Sequence, residues 1–219
     1  MARNEQPDPA EPKEEIKTSD FVIFPDLEGT PKTRTISLYG EVNEELCRLA
    51  ILNLYYYRDT GKYEEEVDTE DEDAEPETIE VYEPIDLIVS TEGGSVTDMF
   101  SVYDCMRDIR EKCEINTFGV GKVMSAGVLL LAGGTRGKRK VGRHCRLMLH
   151  AVSGGQFGSL KELEVDIKEV RWYQTQFIKA LARETKLSER EIRSIFRKKT
   201  DTYFDAEQAV EWGIADEIV

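Results

Sequence analysis

Histidine is nearly absent from this chain, with two in 219 residues, His144 and His150. Cysteine is almost as scarce: Cys47, Cys105, Cys113 and Cys145 stand singly, without the paired spacing of a zinc site. These shortages argue against a metal centre, and the four thiols read as reduced, in a reducing compartment. We expect no metal and no cofactor. No apolar run approaches the length of a membrane span, and the N-terminus is too polar and proline-rich for a signal peptide. The expected setting is therefore cytoplasmic, with no membrane partner. Basic residues are outnumbered, 29 Lys and Arg against 44 Asp and Glu. The one basic run, Arg136 to Arg143, is too short in a chain of net charge −15 to argue for nucleic-acid binding.

Lysine and arginine vanish altogether between residues 64 and 80, where eleven carboxylates stand. Without those eleven the formal charge falls from −15 to −4, so the acidity is a local block. Such a block buries too little apolar area to offset its ordering entropy, and loop length itself costs a fold little. We expect an acidic mobile insertion at about 60–83, interrupting a single domain that spans 20–219. Residues 1–19, rich in Pro, Glu and Lys, read as a disordered polar tail. The length suffices for one domain with a sizeable core.

Against that background, a few segments carry chemistry. Ser125 follows the apolar run Ile115 to Val120, which predicts a buried strand, and opens Ala126 to Ala132, which predicts a packed helix. A hydroxyl at such a junction sits beside free backbone N–H groups, where a developing oxyanion can be stabilised. The alternative is a plain helix N-cap serine. His150 ends the strand-like Arg146-Leu-Met-Leu-His150 and is the candidate base, since a serine hydroxyl is a poor nucleophile until a neighbour takes its proton. His144, among Arg143, Cys145 and Arg146, is expected to be solvated. Asp201 is the candidate orienting acid. Asp205, an expected helix N-cap, and Asp166, in mid-helix, are its rivals. A second strand–turn–helix unit runs from Ile85 through Gly93-Gly94 to a helix from Val96 to Arg110. Two such units in succession imply adjacent parallel strands whose carboxyl ends form one crevice. There an N–H from Gly94 can join that of Ala126 as an oxyanion hole.

The order Ser…His…Asp differs from that of the α/β-hydrolases, the chymotrypsin-like and the subtilisin-like enzymes. The stretches Glu92-Gly-Gly-Ser-Val96, Tyr103-Asp104, Gly121-Lys-Val-Met-Ser-Ala-Gly127, Gly137-Lys-Arg139, Arg146-Leu-Met-Leu-His150, Gly154-Gly155 and Ala206-Glu-Gln-Ala-Val-Glu-Trp-Gly213 occur in one order. From about Arg34 to Val219 the chain thereby resembles the proteolytic subunit of the Clp protease. The resemblance implies an α/β fold, a crotonase-like spiral of strand–strand–helix units with a long handle helix. It implies a serine endopeptidase with Ser125 as nucleophile, His150 as general base, Asp201 as orienting acid, and Gly94 and Ala126 as oxyanion donors. It further implies a homo-oligomer of heptameric rings stacked as a tetradecamer, and an AAA+ unfoldase that threads unfolded protein into the chamber. The chain departs from the family pattern at Val123-Met124, at Ala151-Val152 and at Glu92, and the segment between His150 and Asp201 is slightly longer. These changes mark a divergent member with a reshaped cleft.

The helix predicted from Leu160 to Glu184 fits the handle. Leu160, Leu163, Ile167, Val170, Phe177 and Leu181 recur at three- and four-residue steps, with Gln174 filling the one polar position of the series. At ~1.5 Å per residue the helix is longer than the core needs. An earlier helix, Asn43 to Tyr57, is expected to turn Leu46, Leu49, Ile51 and Leu54 toward the core. Its end, Tyr55-Tyr56-Tyr57, lies where the resemblance implies that an ATPase docks, but the acidic block a few residues later is expected to leave pairing with a standard Clp ATPase weak or absent. Three other readings compete: an acyl-CoA hydratase or isomerase of the crotonase fold, a catalytically weak structural paralogue of the ring, and a specialised or viral processing peptidase. The first needs no activated serine, and the residue types Ser125, His150 and Asp201 weigh against the second.

Overall fold

Alternate burial of Ile36 and Leu38, with Val42 closing the strand, builds β1 (Thr35–Val42), which sends one face into the core. In the computed structural model, residues 33–67, 76–154 and 157–219 are described, and one unit with a common core runs from Arg34 to Val219. The expected polar tail at 1–19 lies outside the described residues. After β1, the side chain of Asn43 accepts a hydrogen bond from the Leu46 N–H at 2.9 Å and starts α1 (Glu44–Thr60). The core face of α1 is Cys47, Ala50 and Leu54, with Leu46 and Ile51 flanking it and Leu49 only partly buried. Of the expected face, Leu46, Ile51 and Leu54 do meet the core, and the correction is Leu49, whose place Cys47 and Ala50 take. The small residues at its centre let the helix lie close against the sheet, and the larger ones close its sides.

The edges of the acidic segment also differ from a structureless loop. Lys62–Val67 forms β2 and Glu77–Tyr82 forms β3, an antiparallel ribbon with Tyr63 opposite Val81 and Glu65 opposite Ile79. Residues 68–75 lie outside the described ones. Glu64 and Glu80 face each other across the ribbon, a repulsive pairing. It is relieved where Lys62 and the Tyr82 hydroxyl both bind Glu80. Arg34 anchors the ribbon's root by donating to the carbonyls of Tyr57, Glu83 and Pro84 at 2.5, 2.9 and 3.1 Å.

Two strand–helix units follow: β4 (Ile85–Gly94) with α2 (Val96–Ile109), and β5 (Ile115–Met124) with α3 (Ala126–Ala132). Strands β1, β4 and β5 are parallel neighbours. Strand β5 then forks. Its Thr117–Gly119 pairs with β6 (Arg139–Val141), and its Lys122–Met124 pairs with β7 (Arg146–Leu149). Between the two pairings stands Gly121 at φ +64°, a conformation that side-chain-bearing residues resist, and the strand turns there. The chain continues through α4 (Leu160–Glu184) and α5 (Glu189–Phe196) to β8 (Thr202–Phe204), antiparallel on β7. Helix α6 (Ala206–Glu211) leads to β9 (Glu217–Ile218), parallel on β6. The fold is mixed α/β with a mainly parallel sheet. Among the described residues, no helix is long and apolar enough to cross a membrane.

Helix α3 is buried along its whole length, as its unbroken apolar sequence requires, and two arginines hold its far end. Arg110 donates from Nη1 to the Gly133 and Gly134 carbonyls and from Nη2 to both oxygens of the Glu184 carboxylate, at 2.7 and 3.0 Å. Arg139, only 4% exposed, forks onto Asp216 at 2.6 and 2.9 Å and donates to the carbonyls of Ala132 and Glu184. The basic run from Arg136 to Arg143 thus spends its central guanidinium on the interior. Burial pushes the Cys47 and Cys145 thiols up to about 11, and all four cysteines are free.

Helix α4 opens with a reciprocal cap: Ser159 accepts from the Glu162 N–H, and Glu162 accepts from the Ser159 N–H. Only its last third is buried, through Phe177, Ile178, Ala180, Leu181 and Glu184. Leu160, Val165, Ile167 and Trp172 are exposed, so most of the helix stands clear of its own core.

Candidate active site

Ser125 stands one residue past the end of β5, and its N–H donates to the Met148 carbonyl of β7 at 2.8 Å. Its backbone, φ 52° and ψ −117°, is the only positive-φ conformation at a non-glycine among the described residues. Such a conformation costs of order 1–3 kcal/mol and persists only where the surroundings impose it. Here buried α3 pulls from one side and Gly93 presses from the other. A Cβ on Gly93, itself at φ +99°, would lie 2.7 Å from the Ser125 Cβ and 3.2 Å from the Ala126 nitrogen. The serine makes no side-chain cap bond, which sets aside the plain N-cap alternative. Its Oγ instead lies 2.8 Å from His150 Nε2.

His150 stands one residue past β7, its side chain 30% exposed. The β7–β8 ladder pairs Leu147 with Phe204, Met148 with Tyr203 and Leu149 with Thr202. Continued by one step, it sets His150 opposite Asp201. Asp201 Oδ1 is 3.9 Å from His150 Nδ1, outside hydrogen-bond range, with the carboxylate 47% exposed. Of the rival acids, Asp205 caps α6 by accepting from the Gln208 N–H at 2.9 Å, and Asp166 lies within α4. His144 is exposed, between β6 and β7.

A cleft of about 470 Å³ opens beside the serine, lined by Glu92, Gly94, Ser95, Val96, Ser125, Ala126, His150, Val152, Ser153 and Phe177. Ala126 is the first residue of α3, so its N–H has no intrahelical acceptor. The arrangement can draw a proton from a hydroxyl as it attacks a carbonyl, with backbone N–H groups beside the oxygen that becomes negative. Asp201 stays outside the lining. Sequence reasoning tied Ala151-Val152 to a reshaped cleft but missed the walls supplied by Ser153 and Phe177. In the sequence Phe177 is one member of a helical stripe, and only the seating of the base of α4 brings it to the cleft.

Residues 76–219, well over half the chain, match the family model described as Clp protease. Two curated relatives are each described as ATP-dependent Clp protease proteolytic subunit 2, from Corynebacterium diphtheriae and Corynebacterium efficiens. Each is 33% identical over 135 residues, covering 62% of this chain and 66% of the relative, so the match spans just under two thirds of the relatives' length. The matched region takes in the forked strand, the cleft and the long helix, and the chain belongs to the Clp protease family.

Proposed function

We propose that this protein is a serine peptidase that hydrolyses unfolded polypeptides or peptides inside an oligomeric chamber. The observation that carries the reading is the 2.8 Å contact between Ser125 Oγ and His150 Nε2, made from a strained backbone at the edge of a cleft. In the first half-reaction Ser125 Oγ bonds to the substrate carbonyl carbon and His150 Nε2 takes its proton. The N–H groups of Gly94 and Ala126 stabilise the charge on oxygen. Collapse of the intermediate breaks the C–N bond, and His150 protonates the leaving amine. A water then enters, and its oxygen bonds to the acyl carbon as His150 removes its proton. The C–Oγ bond breaks to release the carboxylic acid product while His150 returns the proton to Ser125 Oγ. Asp201 orients the imidazole and stabilises its protonated form. Its 3.9 Å separation must shorten by about 1 Å to make that hydrogen bond.

The exposed apolar residues of α4 support association through that helix, in heptameric rings stacked as a tetradecamer. An AAA+ unfoldase would feed such a chamber, which we place in the cytoplasm. Light scattering coupled to gel filtration should give seven or fourteen subunits. A monodisperse monomer that cleaves peptides would remove both ring and chamber. For the chemistry, a fluorophosphonate probe should label Ser125 alone, as read by peptide mapping. Labelling at another serine, or none in a preparation that hydrolyses peptides, would end this assignment.

A further inference from the structure

Glu92 lines the same cleft as Ser125 and His150 and has no part in the proton transfers of the peptidase mechanism. We propose that Glu92 is a specificity-determining residue, selecting peptides that carry arginine, and less strongly lysine, next to the scissile bond. The inference rests on the serine-peptidase reading and adds to it the chemistry of the favoured substrate.

Among the described residues of the lining, Glu92 and His150 are the only titratable side chains, and Val96, Val152 and Phe177 are apolar. An entering side chain therefore meets one fixed charge. Glu92 immediately precedes Gly93, which packs against the Ser125 Cβ, so the carboxylate belongs to positions flanking the reacting carbonyl. Its hydrogen-bonded partner is Lys122 Nζ at 2.5 Å, and that ammonium holds the Glu92 carboxyl below its ordinary range. Glu92 is thus ionised at neutral pH.

The pair is open to water, with side chains 72% and 39% exposed. Open pairs exchange partners at little cost. A guanidinium entering the cleft can take both carboxylate oxygens in parallel hydrogen bonds, which an ammonium cannot, hence arginine before lysine. The neighbouring cations do not occupy the cleft. Lys122 lies outside the lining, and Arg146, which pairs across the ladder with Lys122, sits over the Tyr203 ring at 5.8 Å.

The test uses the full chain, in its native assembly, against quenched-fluorescent peptides with Arg, Lys, Gln or Glu at each position flanking the cleaved bond. The ratio of kcat/KM for Arg over Gln should be roughly fivefold or more at low salt and should shrink as salt rises. Glu92→Gln should bring that ratio close to one. Glu92→Lys should turn the preference toward glutamate, and Lys122→Ala should raise the arginine ratio. Peptide hydrolysis without charge preference, or a preference that survives Glu92→Gln, would overturn the assignment. Failure to hydrolyse any peptide, together with no fluorophosphonate labelling, would instead bring down the underlying peptidase reading.

Discussion

Replacing Ser125 with alanine is expected to lower peptide hydrolysis by roughly four to six orders of magnitude, the usual cost of losing an activated nucleophile. His150→Ala should cost nearly as much. The two act as one unit, and either loss leaves only the cleft and the backbone N–H groups, so the double variant should be scarcely worse than each single one. Asp201→Ala should be milder by roughly one to two orders of magnitude. The imidazole keeps its hydrogen bond to Ser125, and the carboxylate stands 3.9 Å off and half exposed. Rates are to be taken on protein shown by light scattering to keep its assembly. Hydrolysis by pure Ser125→Ala at the parent rate would show that the nucleophile lies elsewhere.

The largest structural loss is expected at Glu184. Its carboxylate, in a residue 2% exposed, accepts from Arg110 at 2.7 and 3.0 Å and from the Tyr103 hydroxyl at 2.6 Å, with Arg107 at 3.8 Å. Glu184→Ala leaves guanidinium charge in a desolvated place without its counter-ion, a change that costs about 3–5 kcal/mol. The loss should reach α3, because Arg110 also holds the carbonyls that end that helix. Denaturant midpoints at fixed protein concentration measure it, and a change below about 1 kcal/mol would mean that the network is not a staple.

Acid supplies a second measurement. Burial raises the Glu184 pKa, but the hydrogen bonds from Arg110 and Tyr103 outweigh it and the net shift is downward. A group whose pKa is lower folded than unfolded stabilises above its unfolded value, about 4.3 for Glu, and loses that contribution as pH falls through the folded one. The gap between the parent and Glu184→Ala should therefore persist at neutral pH and close only under acid below that value.

The sequence disclosed what short-range pattern encodes. The apolar runs around Gly93-Gly94 and Ser125 announce two strand–helix units, and α3 and α4 occupy the predicted residues, 126–132 and 160–184. Where a long-range partner decides, local pattern fails. On α1 the apolar pattern found Leu46, Ile51 and Leu54 but not Cys47 and Ala50, the small residues that share the core face. Strand β5 runs on past Val120 through Gly121 and Lys122, which look like a turn until two different strands pair with its halves. The ribbon of β2 and β3 was hidden by composition. Counting carboxylates obscures the alternation of Tyr63, Val67, Ile79 and Val81 that gives it one less polar face. Glu184 reads as one more charge on a helix, and its partner lies 74 residues away. In the cleft, Ser125 and His150 stood out as residue types, while the positive φ of Ser125 had no trace in the sequence.

Strand β7 lies between β5, which leads into Ser125, and β8, which follows Asp201, and its own end delivers His150. Residues 151–200 therefore leave and return at one fixed gate. The exposed first two thirds of α4 can be rewritten without moving the serine or the imidazole, whereas Phe177 in the cleft wall and Glu184, which holds Arg110 at the end of α3, cannot. The excursion holds the long helix, whose exposed apolar residues we propose as the contact with other subunits. On that proposal, a lineage can redesign how its subunits meet while the proton-transfer pair stays as it was.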